Sequence, residues 1–371
     1  MCDRATIGFQ GRTPEAMEGS GGRARAALGA LPALAALLLG CAPGHDASTG
    51  DIEADSLPAS AIAATPAWHI DTLAAVSRLR PAGLSDLRTL WGIEGGRLAR
   101  LHLDSGATTF QHPAWDVSVA ADVVGWSNES GTWIWRSGSE PVRVADAEPV
   151  GEFDGPPALL FAPDGHAAVL SWRAEWALHH ELLGADGGRR TLDVRMPGYM
   201  AHEALLWLDS TRVLFSAIAT GPVAGQPEYR ESGWRGDLAV LDLQRGAFRR
   251  VTAVADGIFL RAAGEHNGAM LVADYQGTTV RGYWRYDPGS WERTPIALPA
   301  GRAFARGPLA IVLATVGTDR IEALLPAGDS LIRLGPVDEP GAEPAFSPDG
   351  TTAVIRIDGP DGARLIRIRS P

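Results

Sequence analysis

Six hairpin signals recur down this chain at a nearly constant spacing, and that spacing limits the folds open to it. Each signal is an apolar run, a turn of small or polar residues, and a second apolar run. They are LHLDSGATTF around Ser105, IWRSGSEPVRV around Gly138, LLGADGGRRTL around Asp186, VLDLQRGAFRRV around Arg245, WRYDPGSWERT around Pro288 and LLPAGDSLIRL around Gly328. From residue 105 to residue 328 the average step is about 45 residues, the period at which four-stranded propeller blades repeat. Beyond residue 66 helical periodicity is nearly absent, and short apolar strands alternate with turn clusters, as in all-β domains. The expected fold is an all-β propeller of about seven four-stranded blades over residues 67–371, with six blades as the alternative.

The spacing places blades at residues 85–113, 115–145, 157–196, 202–252, 257–298, 302–335 and 343–371. The last segment holds only three strands, so residues 67–79, AWHIDTLAAVSRL, are expected to supply its outer strand. Closing the ring from both termini removes the open edges that a sheet must otherwise protect. Two turns carry a sharper pattern: Leu160-Phe161-Ala162-Pro163-Asp164-Gly165 before HAAVLSW, and Ala345-Phe346-Ser347-Pro348-Asp349-Gly350 before TTAVIRI. Pro presets the first turn residue, Asp caps the turn through its side chain, and Gly accepts the positive φ. This F-[SA]-P-D-G turn between strands resembles the blade repeat of TolB-type and related WD-like propellers. Leu208-Asp209-Ser210 and Glu265-His266-Asn267-Gly268 are expected at the same place in blades that lack Pro-Asp-Gly. TolB-type blades also occur fused to serine-peptidase domains; here the chain ends at Pro371, inside the last blade.

Ahead of the blades, residues 23–41 read RARAALGALPALAALLLGC. A basic start, a short apolar middle and a small residue before the cut are the parts of a secretion signal. The run is short for a bilayer span, which takes about 20 residues, and Pro32 interrupts it. Its Leu38-Leu39-Gly40-Cys41 ending resembles the lipobox of bacterial lipoproteins. That resemblance implies cleavage after Gly40, a diacylated Cys41 thiol and a membrane anchor at the new N-terminus. Residues 1–40 are then a leader, which a start at Met17 would make compact. Residues 41–66, rich in Ala, Pro, Ser and Asp, read as a flexible tether. Ala42 after the cysteine favours the outer membrane, facing the periplasm, with the inner membrane or the cell surface as alternatives.

Charge and motif content narrow the function. With 33 basic residues, all arginine, against 44 acidic ones, the net charge is −11, which argues against nucleic acid, whose binding needs a basic face. Cys2 and Cys41 are the only cysteines, so a processed chain has no disulfide and no thiol metal site. No G-x-S-x-G, H-E-x-x-H or P-loop occurs. His179-His180-Glu181 and His202-Glu203 are neighbours along strands, where successive side chains face opposite ways, so neither pair is expected to share a metal. Asp122, Asp209 and Asp274 border inner strands but suit turns equally well. No cofactor or metal is expected.

The candidate binding residues lie near the loops that join second to third strands. Residues 220–235, TGPVAGQPEYRESGWR, far exceed hairpin length. This loop, SWRAEW at 171–176 and Tyr199 would bring together Trp172, Arg173, Trp176, Tyr199, Tyr229, Arg230 and Trp234. Exposed Trp, Tyr and Arg dominate protein interfaces, and aromatic faces also stack on sugars. The alternative is that these aromatics pack between blades, as many of the twelve tryptophans must. The expected role is a non-catalytic binding platform for an envelope protein. Alternatives are a carbohydrate or cell-wall ligand module, and a propeller hydrolase or lyase with an axial site. If the lipobox reading holds, Cys41→Ser leaves a larger, unprocessed band that is no longer acylated; normal maturation of the variant would refute it.

Overall fold

The computed structural model describes residues 68–76, 78–146, 157–174, 177–219, 235–255, 257–317, 320–328, 330–337, 343–359 and 362–371. The segments expected from the sequence to be a leader, a lipobox with Cys41 and a tether fall outside them. All regular elements among the described residues are strands. After β1 (His69–Val76), blade 1 comprises β2 (Arg80–Leu84), β3 (Thr89–Glu94), β4 (Arg97–His102) and β5 (Thr108–Pro113). Blade 2 comprises β6 (Asp116–Ala120), β7 (Val123–Asn128), β8 (Gly131–Arg136) and β9 (Val142–Asp146). Blade 3 comprises β10 (Ala158–Phe161), β11 (Ala167–Ala174), β12 (Ala177–Gly184) and β13 (Arg189–Thr191).

A short β14 (Arg195–Met196) precedes blade 4, which is β15 (Tyr199–Trp207), β16 (Arg212–Ala219), β17 (Gly236–Asp242) and β18 (Ala247–Arg250). Blade 5 is β19 (Ile258–His266), β20 (Ala269–Gln276), β21 (Thr279–Tyr286) and β22 (Arg293–Ile296). Blade 6 is β23 (Gly301–Arg306), β24 (Leu309–Val316), β25 (Arg320–Ala327) and β26 (Ser330–Pro336). Blade 7 is β27 (Ala345–Phe346), β28 (Thr352–Ile357) and β29 (Arg364–Arg369), with β1 as its outer strand.

Among the described residues seven blades are present, and the six hairpins of the 45-residue repeat are the turns between third and fourth strands of blades 1 to 6. Two boundaries differ from the sequence reading. Blade 1 begins at Arg80 rather than 85, because β2 alternates buried and open residues without a long apolar run. Tyr199 opens the inner strand β15 rather than lying in an inter-blade loop.

The second strand of a blade is covered on both faces over most of its length, so it reads as a nearly unbroken apolar run. Strand β24, LAIVLATV, shows how. Leu309, Ile311 and Leu313 pack toward blade 7, whereas Ala310, Val312 and Ala314 pack toward blade 5. Comparable clusters join blades 1 and 2, 2 and 3, 3 and 4, and 4 and 5. Outer strands such as β5 and β13 are exposed and polar. Where inner strands meet across blades, side chains must vanish. Gly264 pairs with Ala305, and a Cβ there would sit 1.8 Å from the Ala305 carbonyl oxygen.

The two Pro-Asp-Gly turns share one geometry. Gly165 N–H donates to Ala162 O at 2.9 Å and Gly350 N–H to Ser347 O at 3.0 Å, and both glycines have φ of 70°. The Asp164 and Asp349 carboxylates accept the N–H two residues on, at 2.9 and 3.0 Å. Asp209 does the same work in blade 4, accepting from Thr211 N at 2.8 Å and Arg212 N at 2.9 Å. These bonds hold its carboxyl below the usual range against a desolvation that pushes the other way. Asn267-Gly268 instead turns with positive φ at both residues, the tight hairpin that Asn-Gly favours.

Closure rests on β1 pairing antiparallel with β29, His69 opposite Arg369 and Ile70 opposite Ile368. Leu79, Leu84 and Leu90 of the first blade region pack on Ala345, Val354 and Leu365 of the last. Asp71 accepts from Arg369 at 2.9 Å and from Arg367 at 3.3 Å, and Arg367 reaches Asp104 of blade 1 at 3.2 Å. Removing residues 69–76 bares the β29 edge and should cost several kcal/mol of a typical total of about 5–15, lowering the melting temperature by roughly 5–15 °C. Removing residues 42–60, which the sequence assigns to the tether, should leave it unchanged. Equal melting temperatures for both truncations would show that β1 is dispensable.

Candidate functional site

The face of the ring that carries the turns between second and third strands also carries the links between blades. Four of the seven candidate residues fall outside what the structure describes there: Trp176, Tyr229, Arg230 and Trp234. Arg173 lies on β11, opposite Leu178, with its side chain undescribed. Of the two remaining aromatics, Trp172 is half-buried and Tyr199 is buried.

Trp172 stacks on its cross-strand neighbour His179, with ring centroids 5.4 Å apart, and packs on the cluster between blades 2 and 3. Tyr199 is only 8% exposed. Its hydroxyl accepts hydrogen bonds from Arg235 and from Arg250, the latter at 2.5 Å. Both guanidinium groups also lie over its ring, 5.4 and 4.8 Å from the centroid, at cation–π range. Beneath them, Asp237 is fully buried. It accepts from Val254 N at 2.9 Å and Thr252 Oγ1 at 3.0 Å, and pairs with Arg250 at 3.5 Å and Arg235 at 3.9 Å. Tyr199 thus corrects the expectation of an exposed contact. It is part of a buried polar network that ties β15, β17 and β18 together.

His179 and His180 face opposite ways, as alternation requires. His179 is exposed, while His180 is buried edge-on against Phe215 and bonded to Ser171 Oγ at 2.8 Å. That Ser–His pair has the spacing of a nucleophile and its base, but at 1% exposure His180 is closed off from any substrate. Among the described residues no three His, Cys, Asp or Glu side chains gather as a metal set. Asp122 is exposed on a turn, Asp209 caps a turn, and Asp274 lies on β20 with one buried carboxylate oxygen lacking a described partner.

A concave site that the sequence reading missed lies between blades 1 and 2. It is a cleft of about 340 Å³ lined by His112, Pro113, Trp126, Asn128, Glu129, Ser130, Trp133 and Pro141. Ligand clefts run from about 300 to 1,000 Å³. Three flat rings form its apolar part. His112 stacks on Trp126 at 5.1 Å and Trp126 on Trp133 at 6.4 Å, each pair within 10° of parallel. The polar part is the turn between β7 and β8. Trp133 Nε1 donates to Ser130 Oγ at 3.3 Å, Ser130 Oγ donates to Asn128 Oδ1 at 2.6 Å, and Asn128 Nδ2 donates to Pro113 O at 3.1 Å. This chain of bonds locks the turn of blade 2 onto the outer strand of blade 1. Trp126 is 2% exposed, and its Nε1 has no acceptor among the described residues. Close in sequence to lining residues, Phe110 and Trp115 are each 46% exposed, and Val142 is exposed as well.

Half of this site was legible. The motif WSNESGTW centres a two-residue turn on Glu129-Ser130, which puts Trp126 opposite Trp133. His112 comes from another blade, and only the packing of β5 against blade 2 delivers it.

Solved structures similar to this chain are propellers. An oligogalacturonate lyase from Vibrio parahaemolyticus aligns at TM-score 0.56 and 11% identity, over 83% of this chain and 98% of its own. The tricorn protease aligns at 0.54 and 11%, over 82% of this chain and 35% of its own. A TolB from Acinetobacter baumannii aligns at 0.44 and 12%, over 76% and 79%. At such identities the likeness is one of fold. No protein-family model and no curated protein matches the chain.

The buried network separates Tyr199 from a contact aromatic by experiment. Tyr199→Phe removes one acceptor from two arginines and should cost about 1 kcal/mol. Asp237→Ala strands buried donors and should cost about 3 kcal/mol. Urea unfolding that finds both variants as stable as the parent would break this assignment.

Proposed function

We propose that this chain is a lipid-anchored protein of the bacterial cell envelope whose propeller binds a ligand without transforming it, the cleft between blades 1 and 2 being the seat. The anchor is Cys41, and the following Ala42 favours the outer membrane with the propeller in the periplasm. The observation that carries the binding role is the cleft itself. Its size is that of a ligand site and its shape is held by a chain of hydrogen bonds. Its described lining offers ring faces, a hydroxyl, an amide and the Glu129 carboxylate. The Ser130 hydroxyl is engaged by Asn128 and Trp133 rather than by a base.

The reading of an envelope protein as partner rests on residues 220–235, most of which lie outside the described residues. A concave aromatic cleft favours the other binding reading, a carbohydrate or cell-wall ligand. The oligogalacturonate lyase and the tricorn protease show that related rings serve enzymes, but at 11% identity neither transfers its chemistry here.

Crosslinking in intact envelopes tests the binding role. His112 is exposed at the end of an outer strand, so His112→Ala should preserve the melting temperature. It should remove most of the crosslinked product seen with the parent, about fivefold or more for a contact worth 1 kcal/mol. An unchanged crosslinking pattern from a folded variant would move the seat away from this cleft.

A further inference from the structure

We infer that the cleft between blades 1 and 2 takes a neutral or N-acetylated pyranose unit of a glycan, and disfavours uronic acids. This deepens the binding role proposed above and rests on it. Three properties of the lining point to that class.

The first is flatness. A pyranose ring presents one face of C–H groups, which lies well on a planar aromatic surface. His112, Trp126 and Trp133 are within 10° of parallel in successive pairs, so they offer one common orientation. His112 is exposed and Trp133 half-buried, so ring surface remains open at the cleft. A helical or extended peptide would need separate pockets for successive side chains instead.

The second is the placement of polar groups. Sugar hydroxyls donate and accept at the ring's edge, so a sugar site needs hydrogen-bonding groups beside the aromatic face. Asn128, Glu129 and Ser130 supply them on one turn. Asn128 Nδ2 spends one N–H on Pro113 O, leaving the other, and Ser130 Oγ keeps acceptor capacity. Trp126, at 2% exposure and with its Nε1 enclosed, backs the layer without meeting a ligand itself. Because the turn is already bonded to blade 1, little is lost in ordering it on binding.

The third is charge. Among the described lining residues Glu129 is the only carboxylate and none is an arginine; Arg143, opposite Trp133, is paired with Asp146 at 2.9 Å. The nearby Arg97 is turned to Gln111 O at 2.9 Å and over the Phe110 ring at 5.9 Å. A uronate would meet Glu129 with no bidentate cation to hold it, which penalises acidic sugars. A neutral hydroxyl or acetamido group meets no such penalty.

The test uses the purified full chain in detergent with four probes: chitotetraose, cellotetraose, trigalacturonate and a hexaproline peptide. Tryptophan fluorescence and titration calorimetry report binding. The expected result is saturable binding of chitotetraose or cellotetraose with a fluorescence change from Trp126 and Trp133. Affinity should fall about tenfold or more in Trp133→Ala and in His112→Ala, and trigalacturonate should bind at least tenfold more weakly. His112→Ala changes an exposed side chain, so its loss of binding cannot be ascribed to unfolding. Preference for trigalacturonate, binding of hexaproline alone, or sugar binding indifferent to both substitutions would overturn the inference. If no sugar binds while His112→Ala still abolishes envelope crosslinking, the carbohydrate assignment falls and the binding role stands. If both fail, the cleft is not the seat.

Discussion

Everything in this molecule depends on blades lying face to face. A four-stranded sheet of this size has two apolar faces and cannot bury either one alone. Stacking around a ring gives each face a neighbour, and β24 shows the outcome, with alternate residues committed to blades on opposite sides. The arrangement works only if the ring closes, because an open array leaves one face of the first and last blades in water. Here closure joins the two ends of the propeller domain. β1 completes the sheet of β29, and Asp71 and Asp104 together hold Arg367 at the seam between blades 7 and 1.

A rigid ring has consequences for function. Loops and inter-blade seams on such a scaffold are held in place by strands that cannot shift without disturbing two neighbours. The polar network around Asp237 and the hydrogen-bond chain from Trp133 to Pro113 are both built on this support. They differ in what they leave open. Asp237 is satisfied within the protein and fixes strand ends in blade 4. The cleft between blades 1 and 2 keeps ring surface and hydrogen-bonding capacity toward solvent, which is why recognition is assigned there.

The distribution of aromatic residues makes the same distinction. Trp91, Trp126, Trp133 and Trp135 all sit at the seam between blades 1 and 2. Trp91 is buried and packs against Trp135 at 5.5 Å, so part of this concentration is ordinary inter-blade filling. Trp126 belongs to that filling too, and what reaches the surface is His112 and the half-buried Trp133 beside a polar turn. Composition counts twelve tryptophans without separating these roles.

The sequence by itself determined the class and period of the fold. Strand alternation, turn chemistry at Pro163-Asp164-Gly165 and Pro348-Asp349-Gly350, and a 45-residue repeat are local properties, legible because each blade folds from contiguous chain. The three-strand count of the last blade even implied that residues 67–79 must return to close it. Local reading failed where neighbours come from different blades. Tyr199 looked like a surface aromatic beside a long loop, yet Arg235 and Arg250 from β17's approach and β18's end enclose it. The Trp126–Trp133 pair lay within reach of a local reading of its turn that was not made, whereas His112 joins it only through the packing of one blade on the next. Strand pairing is set by near neighbours in sequence, whereas burial and site formation are set by which faces meet, and that is decided only when the ring has closed.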